Sequence, residues 1–548
     1  MPGMFIQTIK TKILEKHQVL PTLLVIGILS TCAVIGVFQA TPYGPAFGSD
    51  SVTYMTTAVN FSEGRGFGYV SPESGFELLT FYPPLFPAVL SLFALVDLDI
   101  LTAAHWINAL ILGILVFLMS WNLWKSLRSL LGAGLLAALL AFSAALIELH
   151  AWVMSDALCL ILGMGGLVTL LEYADSHKKK YLLVSAILTG LAFLTRYAGA
   201  AYCLAGLIGA MLFAPSGFKK RLLAGLSYAS VSLIPMLIWI GIEWIASSGI
   251  ASRNLLPPDT LLVDALTVFR SLKECAYLWL PSIMAISQSL GQLAFRTIYL
   301  GLASIILGAY IFTIIQKRRH PAENWFTSSG LAVISLFSIF MGIYVFVIIV
   351  SYSMIYPPPY LVDRMFAPIQ VGLLVIISTM LGVIFRDNKH LLVRLLTVTL
   401  SLLLVLDFWG AARTEIYKLG QNPPGYLTYQ NSALIEYVSG LPQDTPIISN
   451  KTSVIQYFVG RPAYAIQELY SLTGMEEFTR FGEDPTDPAQ TVFRDRGGAL
   501  VLFGSLADEF AEMYGDQGAE RYAAFIDGLF LAYETPEGRV YYFQSPSP

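Results

Sequence analysis

The sequence predicts a polytopic α-helical membrane protein with about eleven transmembrane helices and a small soluble α/β domain at the C-terminus. Of the 548 residues, 55% are hydrophobic and 13% are charged, and the mean hydropathy is +0.65. Soluble globular proteins have about 25% charged residues. Apolar runs of about 20 residues, each long enough to cross a hydrocarbon core of about 30 Å, recur along the first three-quarters of the chain.

The first apolar run follows a basic segment, as the apolar part of a signal peptide does. The run from Val19 to Phe38 is longer than such a segment, so we expect an uncleaved first transmembrane helix. The predicted spans lie near residues 19–39, 102–122, 130–147, 156–173, 181–195, 198–213, 222–245, 297–316, 328–351, 364–385 and 391–410.

Basic clusters between these runs predict the orientation of the chain. If the N-terminus is cytoplasmic, every cluster falls on the cytoplasmic side, as the positive-inside rule requires. The clusters are Lys125 with Arg128, Lys178 to Lys180, Lys219 to Arg221, Lys317 to Arg319, and Arg386 with Lys389. We therefore expect a protein of the cell (inner) membrane whose C-terminal domain is extracytoplasmic.

This topology divides the chain into a transmembrane domain, residues 1–410, and an outer domain, residues 411–548. It also predicts two long outer loops, residues 40–101 and 246–296. Within the first loop, Pro83–Asp97 is apolar but short, which favours a helix in the membrane interface. The alternative is a short true span.

The C-terminal domain shows alternating helix and strand patterns, which indicate a small α/β fold. It contains no GxGxxG, P-loop or GxSxG motif, so we predict no catalytic role for it. The expected elements are helices at Ser432–Leu441, Thr452–Val459 and Leu506–Tyr514, strands at Pro446–Ser449 and Ala499–Phe503, and a hairpin of Leu529–Tyr533 with Val540–Phe543.

The residue composition argues against disulfides, a zinc site and a nucleic-acid partner. The four cysteines lie far apart and outside any Cys/His cluster, so we expect neither a disulfide framework nor a zinc site. No basic face is interleaved with aromatic residues, so we expect no nucleic-acid partner.

Ionisable residues near the predicted outer ends of the helices are the candidates for chemistry, because each costs about 2.5–3.5 kcal/mol at membrane depth. Asp50 follows the first helix, and Glu148, His150 and Asp156 cluster at the outer ends of the third and fourth spans. Simpler interpretations exist: Asp50 and Ser155-Asp156 are good helix N-caps, and Glu148 and His150 are ordinary interface residues.

Two arginines are predicted on the same side of the membrane. Arg196 lies at the turn between the fifth and sixth spans, and Arg364 opens the tenth. Arg364 could simply snorkel to the interface or pair with Asp363. Functionally, a guanidinium fork suits a phosphate, and a carboxylate can act as general base on a hydroxyl. An enzyme that uses a lipid-phosphate-linked donor needs both groups.

Short motifs along residues 15–410 resemble the GT-C glycosyltransferases, in particular bacterial relatives of protein mannosyltransferases and aminoarabinose transferases. They are Asp50-Ser-Val-Thr-Tyr54, Glu63 to Phe67, Tyr82-Pro83-Pro84, Ser155-Asp156, Thr195-Arg196-Tyr197 and Asp363-Arg364. The resemblance implies transfer of a sugar, with inversion, from a polyprenyl-phosphate donor to a lipid, glycan or protein acceptor outside the membrane.

The resemblance also implies residue roles. Asp50 matches the general base of the first outer loop and Asp156 the acid of the second. Arg364, with Arg196 as a second candidate, matches the residue that contacts the donor phosphate. Tyr82, Pro83 and Pro84 would shape the loop beside the cavity. Glu148 and His150 are candidates for the cavity because of their proximity alone, not because of the resemblance.

One departure from the family pattern concerns the first loop. Serines 49 and 51 flank Asp50, where protein mannosyltransferases have an adjacent acidic pair, which puts a protein acceptor in doubt. No clear carboxylate set for a divalent metal is evident, so metal dependence stays open and no cofactor is certain.

Three other functions remain open. A transporter or flippase of lipid-linked substrates would need paired ionisable groups near helix centres, and no internal repeat supports one. A membrane scaffold would present the C-terminal domain to a partner. An O-antigen-type ligase or polymerase would also consume polyprenyl-linked sugars outside the membrane. The first-loop aspartate followed by Tyr-Pro-Pro argues against this alternative, by resemblance.

Overall fold

The computed structural model describes residues 2–72, 75–215, 217–247, 254–255, 261–279, 330–356, 361–422, 424–466, 480–484 and 487–544. The chain forms two compact units. The first unit comprises residues 1–45, 80–89 and 98–422, and the second comprises residues 46–79, 90–97 and 423–548.

Helices make up most of the first unit. They are α1 (Pro2–Ala40), α4 (Ile100–Leu127), α5 (Leu130–Ala141), α6 (Ala144–Ala151), α7 (Asp156–Ser176), α8 (Lys179–Thr195), α9 (Ala200–Phe213), α10 (Phe218–Ser247), α11 (Leu261–Trp279), α12 (Leu331–Met354), α13 (Asp363–Asp387) and α14 (Leu391–Gln421). The short strands β3 (Asn254–Leu255) and β4 (Ile355–Tyr356) pair antiparallel.

The membrane-crossing character of the chain is confirmed, but the count of about eleven spans is not. In the described residues, seven helices are long and apolar enough to cross a membrane, or eight if α5 and α6, bent by 49°, form one span. The predicted span at 297–316, the basic cluster at 317–319 and most of the predicted loop 246–296 lie outside the described residues.

Side-chain caps define several helix ends. The Asp99 carboxylate accepts from the Thr102 amide at 2.8 Å and begins α4. Between α5 and α6, the Ser143 hydroxyl caps α6 through the Leu146 amide and donates to Gln370 Oε1 of α13 at 3.0 Å. The bend is therefore held by a buried polar contact to another helix.

Small residues let the helices approach closely, as is common in membrane bundles. A Cβ on Gly132 of α5 would lie 3.1 Å from the Cα of Gly382 in α13. A Cβ on Gly190 of α8 would lie 2.8 Å from the carbonyl oxygen of Ser232 in α10. These contacts fix the spacing of the helices that carry the candidate site.

The short helix α3 (Leu85–Ala94) corresponds to the predicted interfacial segment Pro83–Asp97. Its ten residues span about 15 Å, roughly half of a hydrocarbon core. Leu92, Leu95 and Val96 are largely exposed. The length disfavours the short true span, while the interfacial location itself stays a prediction.

The second unit contains a five-stranded mixed sheet in the order β6-β5-β7-β9-β8. Its strands are β5 (Ile447–Ser449), β6 (Tyr464–Ala465), β7 (Ala499–Phe503), β8 (Phe530–Thr535) and β9 (Gly538–Tyr542), and its helices are α15 (Ala433–Ser439), α16 (Thr452–Val459), α17 (Pro488–Asp495), α18 (Ser505–Tyr514) and α19 (Gly518–Ile526). Every element predicted in the tail is present.

The sheet buries both of its faces. Alternate residues of β7 contribute to two separate cores, with Val501 and Phe503 in one and Leu500 and Leu502 in the other. Side chains of successive strand residues point to opposite faces, so this is the pattern of a sheet covered on both sides. The unit also includes α2 (Ser49–Ser62) and the hairpin of β1 (Gly68–Ser71) with β2 (Gly75–Leu78).

Candidate functional site

A small cavity in the first unit brings together three of the residues predicted to act in catalysis or donor binding. Its volume is about 10 Å³, which is roughly the room needed by one water molecule. Its walls come from α6, α7, the turn between α8 and α9, α12 and α13. The lining residues are Leu149, Asp156, Cys159, Leu160, Arg196, Ala198, Tyr344, Arg364 and Pro368.

Asp156 and Arg196 form an ion pair in this cavity. Arg196 Nη1 lies 2.8 Å from Asp156 Oδ2, with the carboxylate side chain 7% exposed and the arginine 25% exposed. Asp156 is the first residue of α7, and Arg196 follows α8 with an extended backbone (φ −151°). Ser155 occupies the N-cap position without capping the helix, and its hydroxyl accepts from Arg196 at 3.4 Å. The capping interpretation is therefore wrong for both side chains.

Arg364 is the second residue of α13 and is partly buried. In the described part of the chain, no carboxylate lies within 4 Å of its guanidinium. The neighbouring Asp363 instead accepts a hydrogen bond from the Cys275 thiol of α11 at 2.7 Å. Burial, together with this bond to a carboxylate, raises the pKa of the Cys275 thiol. Asp363 is thus engaged by a neutral donor, and the alternative in which Arg364 pairs with Asp363 is not observed among the described residues.

Helix N-termini surround the cavity. The first turns of α7 and α13 supply Asp156, Cys159 and Arg364, and Ala198 lies just before α9. The N-terminal end of a helix carries a partial positive charge and exposed amide groups, which favour anions. Two guanidinium groups and one carboxylate line the cavity, so its ionised side chains sum to +1. The site has the electrostatics of an anion-binding site.

Glu148 and His150, both on α6, lie outside the lining of this cavity. Glu148 is partly buried and within electrostatic reach of Arg364, Asp363, Glu415 and Lys418. His150 is fully buried, and its Nδ1 lies 2.7 Å from the Leu146 carbonyl oxygen. A carbonyl only accepts, so Nδ1 carries the proton. Among the described residues, Nε2 has no partner.

Asp50 belongs to the second unit, in the first turn of α2. The N-cap of this helix is Gly48, whose amide donates to the Ser51 hydroxyl at 3.1 Å. Asp50 therefore does not occupy the N-cap position, and it is partly exposed. Its charge lies at the favourable end of the helix dipole.

Tyr82, Pro83 and Pro84 directly precede α3. Pro83 is buried, and the Tyr82 ring packs edge-on against Phe81 with centroids 4.7 Å apart. None of the three lines the cavity described above. Their role in shaping a cavity stays a prediction.

Sequence reasoning missed two side chains that support the site. Glu243 of α10 is fully buried and accepts from the Tyr197 hydroxyl and the Trp239 indole, each at 2.6 Å. The signal that could have identified it is a lone acidic residue inside the predicted span 222–245. Tyr344 lines the cavity and donates to the carbonyl oxygen of Met365 at 2.9 Å, beside Arg364.

In the part of the chain that the structure describes, no three His, Cys, Asp or Glu side chains lie close enough together to hold a metal ion. In the cavity, Asp156 is the lining carboxylate and Arg196 already neutralises it. These residues suit an anion better than a cation.

Comparisons with known proteins agree with this fold. A family model described as dolichyl-phosphate-mannose-protein mannosyltransferase matches residues 82–239. The crystal structure of ArnT from Cupriavidus metallidurans bound to undecaprenyl phosphate is similar, with a TM-score of 0.55 and 11% identity, covering 95% of this chain and 98% of that one. Its apo structure gives a TM-score of 0.55 and 11% identity over 94% and 97%.

A third structure is more distant. The archaeal oligosaccharyltransferase AglB from Archaeoglobus fulgidus, in complex with an inhibitory peptide and a dolichol-phosphate, has a TM-score of 0.47 and 13% identity, covering 95% of this chain and 75% of that one. No curated protein sequence matches the chain. With the family match over residues 82–239 and the fold of ArnT, the resemblance of this chain to the GT-C membrane glycosyltransferases is confirmed.

Proposed function

We propose that this protein transfers a sugar from a polyprenyl-phosphate-linked donor to an acceptor at the outer face of the cell membrane, with inversion at the anomeric carbon. The observation that carries the proposal is the anion-binding cavity of Asp156, Arg196 and Arg364 among helix N-termini. The similar ArnT structure holds undecaprenyl phosphate, a lipid of this class. The acceptor is a lipid, a glycan or a protein.

Arg364 is the proposed principal contact of the donor phosphate. A sugar linked through a polyprenyl phosphate is a phosphodiester with one negative charge, which complements the +1 charge of the cavity. The cavity holds about one water molecule, so the phosphate binds either at its mouth or after the side chains move apart.

Departure of the polyprenyl phosphate creates a second negative charge, and this is the charge that Arg364 and Arg196 would stabilise. Asp156 is the partner that orients Arg196, because a carboxylate paired at 2.8 Å is a poor free base. Asp50 is the proposed general base, which takes the proton of the acceptor hydroxyl as its oxygen attacks the anomeric carbon.

The donor site is tested by binding undecaprenyl phosphate to the full-length protein in lipid nanodiscs, measured by native mass spectrometry. We expect Arg364→Ala to weaken binding about tenfold or more, because it removes the lining guanidinium that has no carboxylate within 4 Å among the described residues. Arg394→Ala is the matched control: Arg394 is exposed, stacks on Phe385 and follows the other end of α13, about 35 Å of helix away. Undecaprenol, which lacks the phosphate, is expected not to compete. Equal binding by wild type and Arg364→Ala would remove Arg364 from the donor site.

The chemical step is tested separately, by release of polyprenyl phosphate from a pool of undecaprenyl-phosphate monosaccharides with a membrane extract as acceptor. Asp50→Asn is expected to bind the lipid normally. Its rate of sugar transfer should fall by at least about 100-fold, because a general base typically contributes a rate factor of about that size. Asp97→Asn is the control, because Asp97 is exposed at φ 56° and asparagine tolerates that backbone. Unchanged turnover in Asp50→Asn would exclude Asp50 as the base.

A further inference from the structure

Glu243 is a buried acid in a candidate membrane span, and the proposed chemistry does not use it. It lies near the C-terminal end of α10, in the span Phe218–Ala246, and is 0% exposed. Its neighbours Ile242, Trp244 and Ile245 are 43%, 64% and 82% exposed. Glu243 therefore continues the inward face of α10, and a carboxylate in an apolar span needs a specific reason to be there.

The contacts of Glu243 connect α10 to another part of the bundle. Trp239, one turn earlier on the same helix, donates its indole N–H to Glu243 Oε1 at 2.6 Å. The hydroxyl of Tyr197, in the turn between α8 and α9, donates to the same oxygen at 2.6 Å. Hydrogen bonds to a carboxylate are about twice as strong as neutral ones. Glu243 thus anchors the turn that contains Tyr197.

That turn also carries Arg196, the residue directly before Tyr197. The Arg196 amide donates to the Ala192 carbonyl at 3.1 Å, and the Arg196 carbonyl accepts from the Gly199 amide at 2.8 Å. A Cβ on Gly199 would lie 2.4 Å from the Ala192 carbonyl oxygen, so the turn packs tightly on the end of α8. A shift of Tyr197 is therefore passed to the backbone of Arg196, whose guanidinium must reach Asp156.

We propose that Glu243 is a positioning residue for the anion site. It holds Tyr197, and through the shared turn it keeps Arg196 on Asp156 and inside the cavity. The anion is the phosphate of a polyprenyl phosphate, and in this respect the proposal rests on the proposed function. Glu243 itself contacts neither donor nor acceptor.

The test compares variants of the full-length protein in nanodiscs for binding of undecaprenyl phosphate. Glu243→Leu and Tyr197→Phe each remove the same hydrogen bond, and we expect each to weaken binding about tenfold. The double variant is expected to be no worse than either single one, because the two residues act as one unit. Glu243→Gln keeps the acceptor oxygen and is expected to stay within about threefold of wild type.

A matched control is a second contact between α10 and α8. The Tyr228 hydroxyl of α10 contacts Thr189 Oγ1 of α8 at 2.8 Å, about 22 Å of helix from Glu243. Tyr228→Phe is expected to leave binding within about threefold of wild type, so general loosening of α8 and α10 is separated from positioning of Arg196. Equal losses in Tyr228→Phe and Tyr197→Phe would overturn the proposal, as would a tenfold loss in Glu243→Gln.

A structural readout makes the proposal independent of the donor. In a cryo-electron microscopy structure of Glu243→Leu, we expect Arg196 Nη1 and Asp156 Oδ2 to lie more than about 4 Å apart, beyond salt-bridge distance. Retention of the 2.8 Å contact would refute the positioning role. Tyr197→Phe provides the same measurement if Glu243→Leu does not fold. A wild-type protein that binds no undecaprenyl phosphate would refute the proposed function, and the structure would still decide the role of Glu243.

Discussion

Removing Arg196 should destabilise the protein more than removing its partner Asp156. Arg196→Ala leaves a carboxylate that is 7% exposed without its counter-ion, whereas Asp156→Asn leaves an arginine that is 25% exposed and still beside Ser155. Breaking a buried pair costs about 3–5 kcal/mol. The partial exposure of Arg196 lowers the expectation to about 3 kcal/mol for Arg196→Ala and about 1 kcal/mol for Asp156→Asn.

The decisive variant is the double one. Arg196→Ala with Asp156→Asn removes the orphaned charge, so it should be more stable than Arg196→Ala alone by about 2 kcal/mol. In a protein of 548 residues we expect a recovery of about 2 °C in Tm, at about 1 °C per kcal/mol. The assay is thermal unfolding followed by tryptophan fluorescence in one detergent at one scan rate, because unfolding of such proteins is often irreversible.

A matched pair provides the control for this experiment. Lys125 and Glu172 form an ion pair between α4 and α7 in which both side chains are more exposed, at 40% and 26%. Lys125→Ala should therefore cost less than about 1 kcal/mol. If the double variant at Arg196 and Asp156 loses the sum of the two single effects, the cost does not come from a buried unpaired carboxylate, and the description of this ion pair is wrong.

Three further predictions concern other contacts. Gly190→Leu should lower the Tm by several degrees in the same fluorescence assay, because its Cβ would lie 2.8 Å from the Ser232 carbonyl oxygen. The control is Gly241→Leu, where the Cβ meets no atom within 4 Å. Equal Tm values for the two variants would contradict this packing. Burial and a hydrogen bond to Glu77 raise the pKa of Tyr69 to about 12. The neutral phenol therefore stabilises the fold below about pH 10, and this contribution is lost as the pH rises to about 12. Tyr69→Phe should abolish that part of the alkaline unfolding transition, and an unchanged transition would refute the assignment. Cys275→Ser should retain binding of undecaprenyl phosphate, because the serine hydroxyl still donates to Asp363. Cys275→Ala should weaken binding, because Asp363 loses this donor and can pair with Arg364 instead. Equal binding by both variants would exclude this effect.

Much of the fold follows from local patterns in the sequence. Apolar runs predicted where helices lie, and alternation in the tail predicted β5, β7 and the β8–β9 hairpin, because both signals are carried by neighbouring residues. Helices α17 and α19 were not predicted. The grouping of residues 46–79 with the tail was also not predicted, since it depends on contacts between residues far apart in the chain, such as the Tyr426 amide with the Phe47 carbonyl oxygen at 2.8 Å.

The candidate site was only partly predictable for the same reason. The sequence identified Asp156, Arg196 and Arg364 as charged residues near helix ends, where a charge is energetically costly, and the structure places all three in one cavity. The sequence could not predict which charged residues form ion pairs. Arg196 pairs with Asp156, across 40 residues of sequence, and Asp363 bonds to Cys275, across 88. Such choices depend on how helix ends meet in three dimensions.

In the proposed function, the cavity binds the phosphate of a polyprenyl-linked sugar donor. The experiment is a cryo-electron microscopy structure of the full-length protein in nanodiscs with undecaprenyl phosphate. We expect the phosphate within hydrogen-bonding distance of the Arg364 guanidinium, about 3 Å, with Arg196 still bonded to Asp156. A phosphate bound elsewhere, with Arg364 turned to a protein carboxylate, would contradict the claim.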